Sequence, residues 1–124
     1  MLEMAKGLKR ANSPRERVAA VVHVNFSASQ FRPETVTAWL AFYLEAQRSA
    51  ELRRLLRVYI RRLRSNLLSG LRPLLPLDQA ESVAEGVGAM IDGFFIRRAL
   101  RDGLPNPASA IAAIDDYVDA KLKA

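Results

Sequence analysis

The sequence predicts an all-α domain, a helical bundle of about five helices preceded by a short N-terminal one. Two observations carry the prediction. All six prolines (14, 33, 73, 76, 105 and 107) fall at breaks between periodic segments, where proline is tolerated. Apolar residues recur at three- and four-residue steps, and no segment keeps the alternation of a half-buried strand.

Residues 2–11 suit a short amphipathic helix. Ser13-Pro14-Arg15-Glu16 combines a capping box with proline at the first helical position, so a helix should start there. It carries Val18, Val21, Val22 and Phe26 and frays in Ser27-Ala28-Ser29-Gln30. Pro33 opens a helix over about 33–47. Within it, Val36 to Leu44 is uncharged and holds three aromatics, Trp39, Phe42 and Tyr43. A helix apolar nearly all round is expected in the middle of a domain, where its aromatics can fill a core or line a cavity.

Ser49-Ala50-Glu51 begins a helix that ends near Gly70 to Pro73. Its Leu52, Leu55, Leu56, Tyr59, Leu63 and Leu67 form a core face, and Arg53, Arg54, Arg57, Arg61 and Arg64 a wet one. Asp78-Gln79-Ala80-Glu81 reads as a second capping box, starting a long helix to about Arg101. One face of that helix is Val83, Ala84, Val87, Ile91, Phe94 and Phe95. A second is made mostly of small residues: Ser82, Gly86, Ala89, Gly93 and Leu100. Glycine inside a helix costs about 1 kcal/mol against alanine, and this helix accepts Gly86, Gly88 and Gly93. Asn106-Pro107 caps a last helix to about Leu122, with Ile111, Ile114, Tyr117 and Val118 on one side. Two such helices can form half of a four-helix bundle shared with a second copy, or can pack within the chain.

At 124 residues the chain fits one domain, large enough to bury roughly two-thirds of its unfolded surface. Without cysteine it has no disulfide, thiolate metal site or cysteine nucleophile. No uncharged stretch approaches the ~18 apolar residues of a membrane span, and the start lacks an apolar signal core, so a cytoplasmic protein is expected. The net charge of +6 is uneven: residues 1–72 hold 14 Lys/Arg and 5 Asp/Glu, residues 73–124 hold 5 and 8. A basic half invites a nucleic-acid reading, but no aromatics interleave with the arginines for base stacking, and a solvated helix face is favoured.

Few residues suggest catalysis. His23 stands among Val21, Val22 and Val24 without partners at ligand spacing and reads as a core or boundary histidine. Asp115 and Asp116, adjacent on a helix, point apart and read as surface charge. No nucleophile elbow or metal signature is present, so neither an enzyme nor a cofactor is expected. Asp92, in the otherwise apolar stretch from Val87 to Ile96, must find a partner if buried. An arginine is one choice. The other is a cationic ligand in a cavity walled by Trp39, Tyr43 and Phe95, held by cation–π contacts of about 0.5–2 kcal/mol each.

Four blocks stand in order: Asn25-Phe26, Ala38-Trp39-Leu40-Ala41-Phe42, Arg61-Arg62-Leu63-Arg64-Ser65-Asn66-Leu67 and Ile91-Asp92-Gly93-Phe94-Phe95-Ile96-Arg97. Together they resemble the C-terminal ligand-binding and dimerisation domain of TetR-type transcriptional repressors, in the choline-responsive BetI branch. The resemblance covers roughly 13–122. It implies a homodimer through the last two helices, with Ser82, Gly86, Ala89, Met90, Gly93, Arg97, Leu100, Ile111, Ile114, Tyr117 and Val118 at the interface. It also implies a small effector such as choline, with Trp39, Phe42, Tyr43, Asp92 and Phe95 as the binding residues. Trp39 and Asp92 match the branch's pattern, while Tyr43 and Phe95 stand where it has tryptophan. Residues 13–124 then form the effector and dimer domain, and residues 1–12 the remnant of the helix that joins it to a DNA-binding head. That helix-turn-helix head is absent from the sequence, so specific operator binding by this chain alone is not expected. A headless partner forming mixed dimers with an intact repressor is the alternative.

Overall fold

The computed structural model describes residues 8–101 and 104–123. Five long helices follow one another: α1 (Pro14–Asn25), α2 (Pro33–Ala46), α3 (Ala50–Leu71), α4 (Leu77–Leu100) and α5 (Pro107–Lys123). No strand occurs among the described residues, and the all-α expectation holds. Residues 8–10 are helical and residue 11 is not, and residues 2–7 of the helix expected over 2–11 lie outside the described residues.

Most starts follow their sequence signals. Glu16 N donates to Ser13 Oγ at 3.1 Å, satisfying an amide that the first turn leaves orphaned. The reciprocal bond comes from one residue earlier than the capping box predicts: Asn12 N donates to Glu16 Oε2 at 2.6 Å. Leu52 N donates to Ser49 Oγ at 3.2 Å, and Ser109 N to Asn106 Oδ1 at 2.8 Å. The capping box at Asp78 is overturned. Pro76, extended, is the N-cap of α4 without a side-chain bond, and Asp78 sits in the first turn, where its charge suits the helix dipole.

Four helices close a ring. α1 packs on α3, α3 on α4, α4 on α5, and α5 back on α1, while α2 lies across α3 and α4. The core inside the ring takes Val18, Val21 and Val22 from α1, Leu67 and Leu71 from α3, Val83, Val87 and Ile91 from α4, and Ile114 and Val118 from α5. The closest approach is between α1 and the end of α3. A Cβ on Gly70 would lie 2.7 Å from the Pro14 carbonyl oxygen and 2.8 Å from Val18 Cγ2, so only glycine lets the two backbones meet. Along another seam Arg15 of α1 bridges to α5, its Nε 3.0 Å from Asp119 Oδ1 and its Nη2 3.2 Å from Asp115 Oδ1. His23 Nε2 lies 3.5 Å from Asp115 Oδ2, and the residue is exposed rather than in the core.

The aromatic helix departs from expectation. Of the block Val36 to Leu44 only Val36 is buried, and Leu44 is 71% exposed. The buried residues of α3, Leu67, Gly70 and Leu71, all lie in its last turns, and none of its first half, on which α2 packs, is buried. The expected core face of α3 therefore splits: Leu67 is buried, but Leu55 and Tyr59 are exposed. Arg53 ties the two helices together, donating from Nη2 to the Gln47 carbonyl at 2.9 Å and from Nε to Ala46 O at 3.3 Å. Those bonds satisfy carbonyls that the end of α2 leaves orphaned.

Candidate functional site

Where α2 and α3 extend beyond the ring, they and α4 leave a groove of about 540 Å³, open to water. α2 contributes Trp39 and Tyr43, one helical turn apart. α3 contributes Leu56, Tyr59, Ile60 and Leu63, and α4 contributes Glu85, Gly88, Ala89 and Asp92. Asn25, at the end of α1, reaches the same space. One side is thus aromatic and aliphatic and the other carries two acids.

Trp39 organises the aromatic side. Its indole meets Tyr59 edge to face at 5.3 Å between centroids and Phe42 at 5.7 Å, while Tyr43 tilts against it at 5.9 Å. Such arrangements add about 0.5–1.5 kcal/mol each beyond area burial, so the rings are held in place before any ligand arrives.

Asp92 stands opposite. Its side chain is exposed along the groove rather than buried, because residue 92 falls on the outward stripe of α4 with residues 85, 89 and 96. Loss of water to the walls raises its pKa above the ordinary 3.8, and the neighbouring Glu85 charge raises it further. Burial pushes the Tyr43 phenol up to about 12, with the Asp92 carboxylate as the second cause. Tyr43 therefore stays a neutral donor within the field of Asp92. No hydrogen bond or ion pair to Asp92 occurs among the described residues, so the arginine partner expected for a buried carboxylate is not there. Arg62 and Arg64 reach the rim, where Arg64 Nη2 pairs with Glu81 Oε2 at 3.2 Å.

Of the residues singled out by sequence, Trp39, Tyr43 and Asp92 meet in the groove. Phe42 does not: it lines a shallow dimple on the far side of Trp39, with Thr35, Ala38, Leu55 and Tyr59. Phe95 does not either. It is 5% exposed and packs on Phe31 at 5.4 Å and Phe26 at 6.1 Å, on the core face of α4 beside the groove stripe. Arg98 pins this aromatic cluster, donating from Nε to the Phe31 carbonyl at 2.9 Å with its guanidinium over the Phe31 ring. Tyr59 and Glu85 line the groove without having been marked by sequence. For Glu85 the signal exists, since 85, 89 and 92 share one helix face.

The residues expected to meet a second copy divide. Ile114 and Val118 are fully buried in the chain's own core, and the Tyr117 phenol covers Gly86. These four are consumed by packing between α4 and α5. Ser82, Ala89, Arg97 and Leu100 are exposed, and Met90, Gly93 and Ile111 are half-buried.

Gly88 lies between the two acids with open space where a side chain would stand. Gly88→Ala is expected to stabilise the fold by up to about 1 kcal/mol, since helix propensity improves and nothing is displaced. Urea unfolding checks this, and a lower midpoint would mean that the groove closes over Gly88.

No group of three metal-ligating side chains converges among the described residues, and no helix there is long and apolar enough to cross a membrane. Residues 14–123 match the family model for the C-terminal region of BetI-type transcriptional repressors. The chain is 58% identical over 117 residues to the HTH-type transcriptional regulator BetI of Rhizobium meliloti, covering 94% of this chain and 58% of that protein. It is 57% identical over 116 residues to the BetI regulator of Agrobacterium fabrum, covering 94% and 56%. With that of Brucella anthropi it shares 52% over 120 residues, covering 97% and 62%. The chain thus spans a little over half the length of these relatives. No solved structure matches it.

Proposed function

The chain belongs to the BetI-type transcriptional repressors through their C-terminal domain, with regulators rather than enzymes, and from that premise we propose that it binds a small cationic effector and pairs with a second copy. The observation that carries the effector reading is the groove, where aromatic faces of Trp39, Tyr43 and Tyr59 oppose an Asp92 with no cation partner among the described residues. A quaternary ammonium such as choline suits that pairing. It cannot donate a hydrogen bond from nitrogen, so ring faces and a nearby carboxylate are the groups that recognise it. Filling the groove ties α2 and α3 to α4. A change in the packing of α4 is how occupancy would reach a partner copy.

Pairing is supported by the outward face of α4. Gly93 has nothing within 4 Å of where its side chain would stand, so the chain's own packing does not explain the glycine. Beside it Ile96 is 43% and Leu100 76% exposed. The seat we propose is therefore Ser82, Met90, Gly93, Arg97, Leu100 and Ile111, without the four residues spent inside the chain and without Ala89, which lines the groove.

Titration with choline, read through Trp39 as the chain's single tryptophan, tests the effector reading. A saturable change supports it, and silence from both choline and betaine aldehyde removes it. For pairing, sedimentation at micromolar concentration should show a dimer in the wild type and a monomer in Gly93→Arg. A wild-type monomer sinks that part.

A further inference from the structure

We infer that the groove is built for an elongated dication, two ammonium groups joined by a flexible apolar spacer, with one held at Asp92 and the other at Glu85. The inference rests on reading the groove as a cation site and goes on to name the shape of its ligand.

Three observations converge. Glu85 and Asp92 line the same wall seven residues apart, two turns of α4 and about 10 Å of rise. Neither carboxylate has a hydrogen bond or ion pair to a cation among the described residues, and their like charges act on one another. A ligand with one charge leaves one acid uncompensated. Between them the wall carries only Gly88 and Ala89, so a chain of methylenes can lie flat along the helix from one acid to the other. Opposite stand Leu56, Ile60 and Leu63, apolar surface that suits such a spacer.

Volume points the same way. At about 30 Å³ per water, the 540 Å³ groove holds roughly eighteen waters. Choline, with about seven heavy atoms, leaves much of that space to water, and two such heads with a spacer can be accommodated. The aromatic side also has rings to spare. Trp39 and Tyr43 come from α2 and Tyr59, packed on Trp39, from α3. Arg64 on the rim does not compete for the acids, because Glu81 holds it.

Calorimetry with choline and with hexamethonium, which carries two trimethylammonium heads at nearly this spacing, tests the inference on the intact chain. Hexamethonium should bind about tenfold more tightly than choline, since it adds a second ion pair and a second ring contact. Glu85→Gln should remove that advantage, so that the variant binds hexamethonium no more tightly than it binds choline. Circular dichroism checks that the variant is folded, which is expected because Glu85 is exposed. Choline binding as tight as hexamethonium binding overturns the dication and leaves the cation reading standing. So does a hexamethonium advantage that survives Glu85→Gln. No binding of either ligand overturns both.

Discussion

Gly70→Ala should destabilise the domain by about 2–3 kcal/mol, a drop of roughly 6–12 °C in Tm for a domain of this size. The added methyl would meet the Pro14 carbonyl oxygen at 2.7 Å and Val18 Cγ2 at 2.8 Å. The first of these is backbone and cannot rotate away. Val18 is itself fully buried in the ring, so its side chain has no room to retreat. Relief then requires α1 to move off α3, opening the core along its most extensive helix pair. A gain of helix propensity, at most about 1 kcal/mol, does not offset that.

Gly88→Ala, the same substitution in a neighbouring helix, is expected to act in the opposite direction, because there the methyl meets open groove. Gly86 is intermediate: its obstacle is the end of the Tyr117 side chain, which can swing aside. Thermal unfolding of the three variants should therefore rank Gly88→Ala above wild type, Gly86→Ala below it and Gly70→Ala lowest. An unchanged Tm for Gly70→Ala would mean that α1 and α3 do not approach as described.

These glycines also mark what the sequence conveys and what it does not. Helix number, order and most starts were readable because Ser13, Ser49 and Asn106 cap locally, within three residues of the amides they serve. The Asp78 capping box misled because Pro76 had already opened the helix, and a pattern of residue types cannot rank two adjacent starts. Burial was less legible. The run from Val36 to Leu44 is apolar whether or not something covers it, and only tertiary packing decides that Val36 is buried and Leu44 meets water. The same holds for the site. Trp39, Tyr43 and Asp92 come together because α2 lies across α3 and α4, a tertiary fact. Phe95, only three residues from Asp92, lies about 60° around the helix from it, and that step is enough to carry it across the core boundary. Helical phase could have separated them: Phe95 shares its face with Val87 and Ile91, whereas Asp92 shares its own with Glu85 and Ala89.

Removing Trp39 should have the largest effect on ligand binding. Trp39→Ala deletes the best cation–π surface in the groove, about 2 kcal/mol when desolvated, and with it the edge contacts that hold Tyr59 and Tyr43 in place. Choline affinity should fall about thirtyfold. Trp39→Phe keeps a ring and should lose much less, which separates loss of the aromatic face from collapse of the α2–α3 pair. Asp92→Asn should weaken binding about tenfold through the lost charge, and here pH supplies an independent signature. The Asp92 pKa lies above 3.8 in the folded chain, so its ionised form is the disfavoured one. Its contribution to stability is thus present at low pH and lost as pH rises through the raised folded value. At neutral pH ligand-free Asp92→Asn should then be at least as stable as wild type, although it binds worse. Cation affinity runs the other way, since it needs the carboxylate ionised: in wild type it should fall as pH drops through the raised pKa, and in Asp92→Asn that step should vanish. A lower Tm for ligand-free Asp92→Asn at neutral pH, or an unaltered pH profile of binding, would show that Asp92 serves the fold. The reverse pair of results would mark it as a charge kept in the groove at the expense of stability, which a ligand cation offsets.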